Sequence, residues 1–177
     1  MGELGFICPE LSEQFGGLGM GCLAAGVIHE EIARADLSFS YLNLLASLNS
    51  QILYKYGKPE VVRPWLDKIR EGRAICAIAL TEPRGGSDAA NLRLRIERDG
   101  DCYVINGEKW FASHAHLASF LIVMAVTDQD AAPYRRLSTF IVPAEMAGAL
   151  EQVAGETLPG EMGYAYTGMS YQEKTAP

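Results

Sequence analysis

The feature that most constrains this chain is a change in the spacing of its apolar residues near Gly72. Before that glycine, apolar residues recur every three or four positions, as in amphipathic helices. After it they alternate or run continuously over short stretches, as in β-strands. The sequence therefore predicts an α+β chain, with a helical domain over residues 1–73 and an antiparallel β domain over residues 74–177.

Three helices are predicted in the first domain. The first two carry apolar stripes, formed by Leu23, Val27 and Ile28 and then by Tyr41, Leu45, Leu48 and Ile52. Ser38 is the expected N-cap of the second helix. The third is expected to begin at Pro59, which suits a first helical turn, and to end at Gly72.

Five strands are predicted in the second domain, at residues 74–80, 92–97, 102–105, 119–126 and 137–142. The dipeptide Asp99-Gly100 indicates a tight hairpin between the second and third strands. The continuous apolar run at 119–126 is typical of a strand that is covered on both faces. Residues 171–177 lack apolar alternation, so the pattern does not support a further strand there.

Composition narrows the class of protein. The 177 residues are 49% hydrophobic, enough to bury a core, and the formal charge of -7 with no basic run argues against nucleic-acid binding. No apolar run is long enough to span a membrane. The cysteines are widely spaced and fit reduced thiols in a cytoplasmic protein: Cys8, Cys22, Cys76 and Cys102.

Two motifs carry the chemistry of the second domain. Residues 77–88 read Ala-Ile-Ala-Leu-Thr-Glu-Pro-Arg-Gly-Gly-Ser-Asp, and residues 106–113 read Asn-Gly-Glu-Lys-Trp-Phe-Ala-Ser. The first resembles the Thr-Glu-Pro-x-x-Gly-Ser-Asp signature of the acyl-CoA dehydrogenases, and the second resembles that family's Asn-Gly-x-Lys-x-Trp-Ile-Thr segment. The resemblance runs from Gly2 to about Gly148. It implies a helical N-terminal domain and an antiparallel β-barrel-like middle domain.

In the family, the two motifs cradle the isoalloxazine ring of FAD. The resemblance implies that the Leu80 backbone and Thr81 contact the pyrimidine side of that ring. It places Gly86 and Ser87 near cofactor phosphate and the pantetheine arm of the substrate. Small side chains and glycines suit this task because they let a ligand approach the main chain closely. The alternative is a polar loop between two strands.

Phe111 stands where the family usually has a tryptophan against the flavin, and Ser113 stands where it has a threonine near flavin N5. Phe111 keeps the aromatic ring that the tryptophan supplies, and Ser113 keeps the hydroxyl donor that the threonine supplies. Trp110 is expected to point to the opposite face of the strand and to serve packing. The pairing of Trp110 itself with the flavin stays open, as does a plain core role for Phe111.

Three further residues invite a ligand role. His114 and His116 form a His-x-His pair, but no third ligand completes a metal set, so a strand-end or loop position near the flavin is expected. Arg84 lies inside the first motif, where it meets either a phosphate of CoA or FAD, or solvent alone.

The resemblance implies an FAD-dependent oxidoreductase of fatty acid metabolism that converts an acyl-CoA thioester to the enoyl-CoA. The N-terminal half is most similar to dehydrogenases of alicyclic acyl-CoA. The implied partners are the acyl-CoA substrate, electron-transferring flavoprotein or a similar acceptor, and further copies of the full-length chain in a homo-oligomer. The family's C-terminal four-helix bundle, which carries the catalytic base, is expected to be absent from this chain.

On that expectation, no catalytic residue is assigned to this chain, and the chain alone is expected to be inactive. Two alternatives remain open. One is a flavin monooxygenase or oxidase that shares the fold, which oxygen consumption without acyl-CoA would favour. The other is a non-catalytic interaction module, which stable association with another protein in the absence of flavin would favour.

Overall fold

In a computed structural model, the chain forms two compact units, Met1–Cys76 and Ala77–Pro177. The structure describes residues 1–133 and 135–144, together with the backbone of residues 168–172. The rest of the predicted β domain beyond residue 144 lies outside the described residues.

The first unit contains the three predicted helices. They are α1 (Cys22–Ala35), α2 (Leu37–Tyr56) and α3 (Pro59–Arg70), and a loop with a 3-10 turn at Glu13–Phe15 precedes them. Pro59 occupies the first turn of α3, as predicted, because its missing N–H has no helical partner at that position. Gly72 follows the helix with a φ of 73°, a conformation that glycine adopts without steric cost.

The cap of α2 differs from the prediction. Asp36, not Ser38, is the N-cap, and its carboxylate accepts hydrogen bonds from the main-chain N–H groups of Ser38 at 2.7 Å and Phe39 at 3.4 Å. An N-cap residue needs extended backbone, which Asp36 has with a φ of -157°. Ser38 lies inside the first turn and therefore cannot fill that role.

The buried face of α2 is largely polar, so its predicted apolar stripe is only partly correct. Leu45 is buried, whereas Tyr41 and Leu48 are 38% and 45% exposed. The buried polar residues of this helix are Ser40, Asn43, Ser47, Asn49 and Ser50. Three of them, Asn43, Ser47 and Ser50, bind the loop before α1, whereas Ser40 donates to the carbonyl oxygen of His29 in α1 and Asn49 donates to that of Cys76. Asn43 Nδ2 donates to the carbonyl oxygen of Phe6 at 2.8 Å, and Ser47 Oγ donates to Glu10 Oε2 at 3.2 Å.

The stripe of α1 is also more exposed than predicted. Leu23 and Val27 are 85% and 53% exposed, and Ala25 is the one buried residue of the helix. The spacing of apolar residues defines a helix face correctly, but it does not determine whether that face is covered within this unit.

The second unit is built on a six-stranded sheet. Its strands are β1 (Cys76–Ala79), β2 (Arg95–Asp99), β3 (Cys102–Trp110), β4 (Phe120–Val126), β5 (Leu137–Pro143) and β6 (Gly168–Gln172). The first residue of β1, Cys76, is the last residue of the first unit. The order is β1-β4-β2-β3-β6, and β5 pairs with β4. The five predicted strands are confirmed. β6 was not predicted from the sequence, and it pairs antiparallel with residues 106–110 of β3.

The predicted hairpin joins β2 and β3, with Asp99 paired to Cys102 across the turn and Gly100 at a φ of 58°.

The prediction of an antiparallel sheet is wrong, because β2 and β4 pair in parallel where Arg95 meets Val126. β3 runs back along one edge of β2. β4 then reverses direction again and lies at the other edge of β2, so it has the same direction as β2.

β4 supplies the centre of the core, as its continuous apolar run predicts. Six of its seven residues are buried, and the seventh, Met124, is half-buried. The core residues are Ala77, Ala79, Leu94, Ile96, Ile105, Ala118, Leu121, Val123, Ala125 and Val142. Among the described residues, no helix is long and apolar enough to cross a membrane.

Candidate functional site

The first motif forms a loop that leaves β1. Its turn is closed by two main-chain hydrogen bonds between Glu82 and Gly85, at 2.9 and 3.1 Å. Pro83 and Arg84 lie exposed at the tip of this turn. Leu80 and Thr81 precede the turn, and both are half-buried.

Gly86 and Ser87 follow the turn and are exposed. A Cβ atom added at Gly86 would meet nothing nearer than Thr81 Cγ2 at 3.8 Å, which is ordinary contact. Packing within the chain therefore does not require glycine at this position. The main chain here is open to a ligand that needs close approach.

The second motif ends β3 next to this loop. The main-chain N–H of Trp110 donates to the carbonyl oxygen of Thr81 at 2.7 Å. Phe111 then leaves the strand with a φ of 56°, and its side chain is 63% exposed. Ser113 is also exposed. The structure thus brings the two predicted segments together and places Phe111 and Ser113 immediately after their junction.

Phe111 combines two unfavourable features. A left-handed backbone costs a bulky residue free energy that glycine avoids, and an exposed phenyl ring gains little from burial. Residues held in such conformations cluster at ligand-binding and catalytic sites. A surface aromatic ring on strained backbone therefore fits a platform for a ligand better than it fits a core role.

Trp110 behaves differently from the expectation of opposite strand faces. Its ring meets the Phe111 ring edge to face, with centroids 5.8 Å apart, and it is 37% exposed. The left-handed turn at Phe111 ends the alternation that an extended strand imposes, so both rings lie on the same part of the surface. The indole N–H of Trp110 donates to Glu108 Oε1 at 2.7 Å.

A buried ion pair joins the two residues that are adjacent in sequence to Thr81 and Trp110. Lys109 Nζ is 2.9 Å from Glu82 Oε1, and the two residues are 0% and 8% exposed. Burial lowers the pKa of Lys109 below its ordinary 10.5, while the hydrogen bond and charge of Glu82 oppose that shift. Sequence reasoning did not single out this pair. The available signal was an acidic residue in the first motif and a lysine in the second, among other charged residues in both motifs.

The histidines lie in a loop, as predicted. His114 precedes a 3-10 turn at Ala115–Leu117, and the rings of His114 and His116 stack at 6.4 Å. Among the described residues, no group of His, Cys, Asp and Glu could hold a metal ion.

Comparison with known proteins matches both units. Residues 77–173 match the family model "Acyl-CoA dehydrogenase, middle domain", and residues 1–73 match "Acyl-CoA dehydrogenase, N-terminal domain". The chain belongs to the acyl-CoA dehydrogenase family.

Individual members of the acyl-CoA dehydrogenase family support this. The probable acyl-CoA dehydrogenase YngJ of Bacillus subtilis is 35% identical over 150 residues, which cover 84% of this chain and 39% of that protein. The crystal structure of the acyl-CoA dehydrogenase from Geobacillus kaustophilus has a TM-score of 0.73 at 37% identity, and the match covers 81% of this chain and 38% of that one.

A glutaryl-CoA dehydrogenase from Mycobacterium smegmatis, solved in complex with FADH2, has a TM-score of 0.72 at 31% identity. The match covers 81% of this chain and 36% of that one. The chain thus spans little more than a third of the length of these relatives.

Proposed function

We propose that this chain forms the flavin-binding edge of an FAD-dependent enzyme that converts an acyl-CoA thioester to the enoyl-CoA. The observation that carries the proposal is the hydrogen bond from Trp110 to Thr81, which joins the two motif segments. A relative solved with FADH2 supports FAD as the cofactor. Its designation as a glutaryl-CoA dehydrogenase supports an acyl-CoA thioester as the substrate class.

The exposed groups at the junction fit the pyrimidine and N5 side of a flavin. The Leu80 backbone and the Thr81 hydroxyl would bind the pyrimidine edge, since both are only half-buried. Phe111 would lie against the ring system as an apolar plate. Ser113 would donate its hydroxyl hydrogen near N5.

The glycine segment fits the phosphate side of the ligands. Gly86 leaves its main chain open, and Ser87 beside it offers a hydroxyl. We assign them to cofactor phosphate and to the pantetheine arm of the substrate. Neither assignment needs a movement of the loop, because both residues are already exposed.

When bound, FAD accepts a hydride from the β-carbon of the acyl group. The residues of this chain would hold and orient the flavin. The wider assignment follows the family, with residues 1–73 and 74–177 as its N-terminal and middle domains. The same proposal includes electron-transferring flavoprotein or a similar protein as the electron acceptor. It also includes a homo-oligomer of the full-length protein and an alicyclic acyl group in the substrate.

The test is retention of flavin by the purified chain. We expect the chain mixed with FAD to keep the visible flavin band through gel filtration. Phe111→Ala should weaken FAD binding at least tenfold. Phe39→Ala, which removes an aromatic ring that is 58% exposed in α2, should not. A folded wild-type chain that loses all flavin would contradict the proposal.

A further inference from the structure

The ion pair between Glu82 and Lys109 also forms hydrogen bonds with more than one segment of the chain. Glu82 Oε1 accepts from Lys109 Nζ at 2.9 Å and from the main-chain N–H of Leu94 at 2.9 Å. Glu82 Oε2 accepts from the main-chain N–H of Arg93 at 2.8 Å. Lys109 Nζ also donates to the carbonyl oxygen of Leu80 at 3.0 Å. One pair of charges thus connects the first motif, the approach to β2 and the end of β3.

A buried ion pair is an expensive way to hold these segments together. Moving both charges out of water costs free energy that apolar side chains of similar volume avoid. The pair does, however, fix the relative positions of the segments that it joins. A carboxylate that accepts three hydrogen bonds fixes its donors in one arrangement, whereas apolar contacts between the same segments would tolerate small displacements.

The atoms that the pair fixes flank the proposed flavin contacts. Lys109 lies two residues before Phe111, and its ammonium group holds the carbonyl oxygen of Leu80, which precedes Thr81. On the other side, the hydrogen bond from Trp110 to Thr81 closes the same junction. The relative position of the two motif segments therefore depends on Lys109 and Glu82.

We infer that Glu82 and Lys109 are positioning residues, which hold the Leu80–Thr81 segment at a fixed spacing from Phe111 and thereby set the affinity and environment of the flavin. The inference rests on the proposed function. It assigns the pair an effect through Leu80, Thr81 and Phe111, with no contact to the flavin by either charged group.

The experiment compares three variants of the chain with the wild type. Lys109→Met removes one charge at similar volume. The double variant Glu82→Gln/Lys109→Met removes both charges. Val142→Ala is the matched control, because Val142 is 3% exposed in the core of the same unit and lies in β5, outside both segments. Lys109→Met and Val142→Ala are compared at temperatures of equal stability.

Two readouts separate positioning from general stability. The first is amide hydrogen exchange of the flavin-free chain at residues 80–87 and 110–113. Lys109→Met should exchange at least tenfold faster than Val142→Ala in both segments. The second is FAD affinity together with the visible circular dichroism of the bound flavin. Lys109→Met should weaken binding at least tenfold and change the spectrum.

The double variant should recover part of the affinity lost in Lys109→Met, because it leaves no lone charge in the core. If the wild type binds FAD and Lys109→Met matches Val142→Ala in both readouts, the positioning role is overturned while the proposed function stands. If the folded wild type retains no FAD, the proposed function fails and the assignment of this pair to flavin positioning falls with it.

Discussion

The main-chain N–H of Trp110 lies 2.7 Å from the carbonyl oxygen of Thr81, so the last residue of β3 is joined directly to the loop that leaves β1. These two residues are 29 positions apart in the sequence. Their hydrogen bond joins the two motifs at the residue that directly precedes Phe111.

Removing one charge of the buried pair should destabilise the second unit strongly. Lys109→Met leaves the Glu82 carboxylate without its partner in the core, at an expected cost of about 3–5 kcal/mol. Urea unfolding measures this, and Glu31→Gln is the control. Glu31 pairs with Arg34 at 3.0 Å with side chains 63% and 71% exposed, so its loss should cost less than about 1 kcal/mol. Equal losses in the two variants would contradict this account.

Gly107→Ala should cost far more stability than Gly100→Ala. Gly107 has a φ of 138°, and a Cβ there would lie 2.6 Å from the Cα of Leu94, so backbone must move. We expect a loss of about 3 kcal/mol or more. Gly100 has a φ of 58° but open space around it, so only the left-handed conformation is penalised, by about 1–2 kcal/mol. The midpoints of thermal unfolding would show the difference, and similar midpoints would refute it.

Gly86→Ala should separate ligand binding from stability. The added methyl group meets only Thr81 Cγ2 at 3.8 Å, so the free energy of unfolding should change by less than about 0.5 kcal/mol. A ligand that approaches this main chain closely would be displaced, and FAD or CoA affinity should fall about tenfold, or 1.4 kcal/mol. Calorimetric titration with each ligand tests this. Unchanged affinity for both would remove Gly86 from the site.

Phe111→Gly should stabilise the flavin-free chain while weakening its binding of flavin. Glycine relieves the left-handed backbone at a φ of 56°, worth about 1 kcal/mol, and little burial is lost from a ring that is 63% exposed. The unfolding midpoint should therefore rise as FAD affinity drops. Phe120→Ala is the contrasting variant, because that ring is 0% exposed and its loss should cost about 3–5 kcal/mol.

The first unit should lose stability at alkaline pH. Burial raises the pKa of Cys8 from 9.0 to about 12 and that of Cys76 to about 11. The folded state holds these protons more tightly, so the contribution is complete below pH 9 and is lost as pH rises through 11 to 12. Between pH 9 and 11 each thiol should contribute a slope of about 1.4 kcal/mol per pH unit.

Fluorescence of Trp65 in a Trp110→Phe variant would follow unfolding of the first unit alone. That separation matters because the lowered pKa of Lys109 in the second unit acts with the opposite sign. Cys22→Ser is the control, since Cys22 is exposed, and it should keep the slope. Replacement of Cys8 and Cys76 by alanine should flatten it. A slope that survives this replacement would show that other groups cause it.

Local signals in the sequence predicted the elements of this fold well. Asp99-Gly100 specifies a tight turn by itself, Pro59 specifies the start of α3, and the run in β4 predicts burial on both faces. Each of these depends on conformational preferences of a few adjacent residues, which are readable without knowledge of distant partners.

The parts that could not be predicted depend on residues far apart in the chain. The parallel pairing of Arg95 with Val126 follows from the path of β4, and the polar face of α2 follows from the loop at residues 6–10 that it binds. The Glu82–Lys109 pair shows the same limit. Glu82 and Lys109 lie inside the two motifs, but only their positions in space show that they meet.

The two halves of β3 pair with different strands, and this difference affects the order in which the sheet folds. Residues 102–106 pair with β2, which lies just before them, whereas residues 106–110 pair with residues 168–172, about sixty positions later. Pairing over such a separation is slow, because a long loop must close before any contact forms. During synthesis the β2–β3 hairpin can form early. Residues 106–110 of β3, which lead into Phe111, can pair with β6 only after residues 168–172 have been synthesised.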